Sequence, residues 1–116
     1  MMIQRFDTGR RLSEIVIHNQ TIYLTGQVAQ NAQQGMEDQT SQVLARIDQL
    51  LAQAGSDKTH ILSATIYLRT MNDFAAMNLI WDRWVPQGHA PARTTLEARL
   101  AKLDYRVEIQ IVAALP

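Results

Sequence analysis

Short runs of β-branched and aromatic residues, separated by polar punctuation, set the first elements of the chain. Ile15, Val16, Ile17 and His18 form one such run and residues 21–25 (Thr-Ile-Tyr-Leu-Thr) a second. The Asn19-Gln20 pair between them predicts a hairpin with a tight turn. Gly26 is expected to stop the second strand, and a β-prone stretch near Ile3 to Phe6 leaves room for an extra one. Residues 27–42 are rich in glutamine and read as a solvated connection. From residue 37 to 54 the period changes: Val43, Ile47, Leu50, Leu51 and Ala54 fall on one helical stripe, with Gly55 where helices often end in a left-handed residue.

Residues 61–69 return to β-branched character and predict a strand. Asn72 reads as the N-cap of a second helix that places Phe74, Met77, Trp81, Trp84 and Val85 on one face, and Pro86 and Gly88 end it. Residues 94–98 and 105–115 predict two further strands. The order is β-β-α-β-α-β-β, in which two helices can cover one face of a sheet. In the last strand Val107, Ile109 and Ile111 point one way, toward the helices, and Glu108, Gln110 and Val112 the other. That second face is neither fully polar nor fully apolar, and no remaining segment can cover it. A homo-oligomer is therefore expected, against the alternative of a monomer with a semi-polar sheet face in water.

Composition narrows the function classes. At 116 residues, 47% hydrophobic and 19% charged, the chain fits one domain, residues 1–116, and is too apolar for disorder. It has no cysteine, hence no disulfide, thiolate nucleophile or zinc finger. No apolar run approaches the roughly 18 residues of a membrane span, and Met1-Met2-Ile3-Gln4-Arg5 lacks a signal peptide's apolar stretch. The cytosol is the expected compartment, with no membrane partner. Eleven basic residues balance eleven acidic ones, so no net field collects nucleic acid, and no specific nucleic-acid partner is expected. Only Lys58 and Lys102 are lysines; the other basic residues are arginines, an excess that codon bias explains equally well.

Few residues offer chemistry. His18, His60 and His89 lack the close spacing that puts two ligands on one metal, and Trp81 and Trp84 sit at the spacing of a packed helix face. There is no glycine-rich phosphate loop and no G-x-S-x-G elbow. What remains is Pro91-Ala92-Arg93-Thr94-Thr95-Leu96, followed by Val107-Glu108-Ile109. Arg93 would stand where a proline-containing loop enters a strand, and Glu108 on the non-helix face of the neighbouring strand. With the hydroxyls of Thr94 or Thr95 they would make a small anion pocket with one carboxylate able to handle a proton. A plain Arg–Glu ion pair across two strands is the competing interpretation.

Gly26-Gln27 after a strand, Asn72-Asp73-Phe74 opening a helix, Pro91-Ala92-Arg93 and Val107-Glu108-Ile109 together resemble the Rid (reactive intermediate deaminase) family, also called the YjgF or endoribonuclease L-PSP family. Within it the chain looks like the YoaB-like branch. The resemblance implies a chorismate-mutase-like α+β fold assembled as a homotrimer, with sheets forming a central barrel, helices outside and clefts between subunits. It also implies cofactor-free hydrolysis of 2-imino acids and enamines, such as 2-aminoacrylate and 2-iminobutyrate, to 2-keto acids and ammonia. Arg93 would then clamp the substrate carboxylate and Glu108 carry the proton, with Thr95, Thr25 and Gly26 completing the pocket and no metal. Well-known members have tyrosine at the position of Leu12, cysteine at Thr95 and serine at Thr25, departures that bear on substrate choice and exclude thiol chemistry. The alternatives are a non-catalytic protein binding a small carboxylate and an RNA-cleaving activity.

Overall fold

Seven strands and two helices alternate along residues 2–116, the part of the chain that the computed structural model describes. The strands are β1 (Gln4–Thr8), β2 (Ser13–His18), β3 (Thr21–Leu24), β4 (Gln27–Val28), β5 (Ile61–Leu68), β6 (Ala92–Glu97) and β7 (Val107–Ala114); the helices are α1 (Met36–Gln53) and α2 (Phe74–Trp84). They form one mixed sheet in the order β1-β2-β3-β7-β5-β6, with β4 also pairing β7. The expected order is present, with β1 as the extra strand near the start.

Local chemistry explains most boundaries. Asn19 and Gln20 both take positive φ (52° and 64°), the turn geometry whose twist suits a two-residue hairpin. Helix α1 ends in a Schellman motif: Gly55 at φ 86° donates to the Ala52 carbonyl, and the Ser56 N–H reaches that of Leu51. Two expectations need correction. Asn72 does not cap the second helix; the Thr70 hydroxyl accepts from the Asn72 N–H, and a 3-10 turn over Met71–Asp73 leads into α2. Gly26 lies just past the end of β3, as expected, and β4 then resumes pairing with Ile109 and Glu108 of β7. The glutamine-rich segment is not a solvated connection throughout. Gln39 is wholly buried on α1, its amide donating to the Ala32, Gln34 and Asp104 carbonyls and accepting from the Arg106 N–H, while Gln27 is buried beside Glu14.

Both helices lie against one sheet face. Ile15, Ile17, Ile22, Leu24, Ala64, Ile66, Leu68, Ile109 and Ile111 meet Val43, Ile47, Leu50, Leu51, Met77 and Trp81 in a single core. On the opposite face Glu108, Val112, Tyr67 and Tyr23 are only partly covered; Tyr23 is 46% exposed. This is the alternation expected for β7. Helix α2 is the crossover between β5 and β6, which run parallel, so β6 becomes an edge strand and β5 lies between it and β7.

Candidate functional site

The position of β6 decides where Arg93 goes. Arg93 pairs with Ala64 on β5, and Glu108 pairs with Tyr67 on the other side of β5. Ala64 and Tyr67 are an odd number of residues apart, so their partners emerge on opposite faces of the sheet. Two strand spacings and three residues of offset separate the Cα atoms by about 14 Å. Strands β6 and β7 are therefore not neighbours, and within one chain Arg93 and Glu108 form neither a pocket nor an ion pair. Among the described residues the ion pairs are Arg46–Glu14, His60–Asp57 and Arg106–Asp73.

Arg93 sits on the helix face at the sheet edge. Its Nη1 donates to Asn78 Oδ1 on α2 at 2.8 Å, and its guanidinium lies 5.3 Å from the Trp81 ring centre and 5.9 Å from that of Phe74. Residues 74, 78 and 81 follow the i, i+4, i+7 stripe of a helix, so α2 presents one amide between two rings. That lone asparagine in an aromatic stripe is the signal that sequence reasoning passed over. Thr95 lies two residues on, on the same face, with its Oγ1 buried and unpartnered among the described residues. Thr94 projects to the other face beside Thr65. With Nη1 engaged by Asn78, the remaining edge of the guanidinium is free to take a carboxylate in two parallel bonds.

Glu108 belongs to a different group. Its side chain lies against Gly26, where a Cβ would come within 3.0 Å of the Glu108 carboxyl carbon, so the glycine leaves room for this position of the carboxylate. Thr25 precedes it, held by its N–H to the Glu14 carbonyl at 3.0 Å. A cleft of about 340 Å³ opens beside Glu108, lined also by Tyr67, Arg99 and Gln110. Gly26, Thr25 and Glu108 thus come together, as do Arg93 and Thr95, but the two groups stay apart. Leu12, just before β2, is 52% exposed.

Among the described residues no group of three or more histidine, aspartate or glutamate side chains could hold a metal ion, and no helix is long and apolar enough to cross a membrane. His60 pairs with Asp57, and His89 lies in the loop after α2 with its Nδ1 near the Gln87 carbonyl.

Comparison with known proteins gives a consistent picture. The family model described as Endoribonuclease L-PSP matches residues 2–115. The chain is 52% identical over 114 residues to the RutC family protein YoaB of Escherichia coli, covering 98% of this chain and 99% of that one. It is 31% identical over 107 residues to the 2-iminobutanoate/2-iminopropanoate deaminase of Capra hircus, covering 87% and 77%. A crystal structure of a YjgF family member from Neisseria meningitidis superposes with a TM-score of 0.96 at 50% identity, covering 100% of this chain and 97% of that one.

Proposed function

The chain belongs to the endoribonuclease L-PSP (YjgF, or Rid) family, and on that footing we propose that it hydrolyses reactive 2-imino acids to 2-keto acids and ammonia without a cofactor. The observation that carries this reading is the division of the site. An arginine prepared for a carboxylate stands at a sheet edge, and a carboxylate with no ion-pair partner among the described residues stands over a cleft on the other, partly covered face of the same sheet. Neither half is useful alone. A homotrimer, in which the uncovered faces meet as a barrel, brings Arg93 of one subunit to the Glu108 cleft of another.

In that assembled cleft Arg93 fixes the substrate carboxylate through two charge-assisted bonds and so places the imine carbon. Glu108 takes a proton from water as the water oxygen bonds to that carbon, and the imine nitrogen is protonated to give a carbinolamine. Proton transfer from the new hydroxyl to the nitrogen then breaks the C–N bond. One imino acid and one water become one keto acid and one ammonia, and no oxidant is needed. Thr95 Oγ1 and the backbone near Thr25 and Gly26 complete the walls. The deaminase activity named for the Capra hircus relative supports this chemistry.

The test couples the purified protein to threonine or serine dehydratase and follows keto-acid release. Release faster than the dehydratase alone is expected for the wild type, and no gain over the dehydratase alone for Arg93→Ala. If wild type matches the no-protein control for several imino acids, a non-catalytic carboxylate-binding role takes its place. Light scattering should give three times 13.1 kDa, about 39 kDa.

A further inference from the structure

Two arginines near Glu108 have no role in the hydrolysis just described. Arg99, in the loop after β6, lines the same cleft as Glu108. Arg69 follows β5 on the face that carries Tyr67, two residues beyond it, and Tyr67 stands directly opposite Glu108. Arg69 and Arg99 together line a recess of about 350 Å³ that continues from that cleft through Ala98 and Arg99. Glu97 also borders the recess, but its Oε1 accepts the Met71 N–H at 2.8 Å, and neither arginine is within ion-pair distance of it. Arg69 Nη1 is buried and makes no hydrogen bond among the described residues. A buried guanidinium nitrogen without an acceptor is costly, so it calls for an acceptor that the chain itself does not supply.

Resting on the deaminase reading, we propose that the substrate is a 2-imino dicarboxylate, with one carboxylate on Arg93 and the second in the recess between Arg69 and Arg99. Residues i and i+2 on a strand lie about 6.6 Å apart, so the recess is displaced from Glu108 by roughly the reach of a short side chain. A four- or five-carbon imino acid then spans both positions, its reacting carbon beside Glu108 and its distal carboxylate on the arginines. The chemistry is unchanged: water adds, ammonia leaves and a 2-keto dicarboxylate is released. Monocarboxylic imino acids leave the second anion position empty, and Arg69 without an acceptor.

The experiment compares kcat/KM for 2-iminobutanoate, generated by threonine dehydratase, with that for the four-carbon dicarboxylic imine, generated by an aspartate-oxidising enzyme. Wild type should favour the dicarboxylate at least tenfold, and Arg69→Gln or Arg99→Gln should lower that ratio by at least tenfold. Turnover of 2-iminobutanoate with no preference for the dicarboxylate overturns this proposal and leaves the deaminase reading standing. If no imine is turned over, the deaminase reading falls, and calorimetry with oxaloacetate against 2-oxobutanoate decides the anion recess alone. Tighter oxaloacetate binding that Arg69→Gln abolishes supports the recess, and equal binding of the two overturns it. A variant that lowers the oligomer mass while leaving the substrate ratio intact would show these arginines to be subunit contacts, and also overturns the proposal.

Discussion

Arg93 and Glu108 lie two strands apart in one sheet, yet the chain holds them in opposite ways. Arg93 is gripped by its own subunit, with an amide at 2.8 Å and aromatic rings on the same helix. Glu108 meets Gly26 and an open cleft, on a face that is only partly covered. The first is preorganised and needs no further support. The second is positioned only by the absence of a side chain at residue 26. On the proposed reading, a small domain supplies a two-residue site without bringing the two residues together: each is built on a rigid strand, and assembly would join them.

Separating the subunits should have the largest effect. Val112→Glu places a charge on the uncovered face of the inner strand β7, where its neighbour across the ladder is Tyr23. Dissociation to about 13 kDa with complete loss of deaminase activity is expected while the far-ultraviolet circular dichroism is retained. Activity in a stable monomer would break the comparison, since neither half should work alone. Gly26→Ala tests the weakly held half, because the new methyl displaces the Glu108 carboxyl. A fall of about 100-fold in kcat/KM is expected with little change in melting temperature. The strongly held half should be more tolerant. Asn78→Ala removes one bond to Arg93 but leaves the rings, and a rise in KM of about tenfold, equivalent to about 1.4 kcal/mol, is expected.

The smallest effect lies outside both halves. The Thr59 hydroxyl and N–H donate to the Asp57 carboxylate, with His60 adding to them, and hold its pKa below the ordinary carboxylate value. A lowered folded-state pKa contributes stability above the unfolded value that is lost as pH falls through the folded one. Wild type should therefore melt slightly above Asp57→Asn at pH 6, with the gap closing below about pH 4, and activity at pH 7 should not change.

These contrasts follow the line between what the sequence discloses and what it hides. The hairpin, the Gly55 stop and the alternation of β7 are local, set by turn residues and side-chain periods, and were legible. The residues of the proposed site, Arg93, Thr95, Thr25, Gly26 and Glu108, were nameable from the sequence. Their grouping was not, because chain order places β6 beside β7 whereas the parallel crossover through α2 inserts β5 between them. The register against Ala64 then turns Arg93 to the helix face, a long-range fact that no local pattern carries. The burial of Gln39 and Gln27 is hidden for a related reason: glutamine is ordinarily solvated, and the Asp104 carbonyl and Arg106 N–H that meet Gln39, like the Glu14 carboxylate that meets Gln27, come from distant segments. Thr70 displaced Asn72 as a cap because the helix enters through a 3-10 turn.

The central claim is that one working site takes Arg93 from one subunit and Glu108 from another, and mixing two inactive variants tests it most directly. Arg93→Ala and Glu108→Gln should each be inactive alone. Unfolded together in equal amounts and refolded, they should recover about a quarter of wild-type activity, the fraction of sites that draw an intact arginine and an intact glutamate from different chains of a closed ring. A mixture as inactive as either variant, with subunit exchange verified by mass spectrometry, would contradict it.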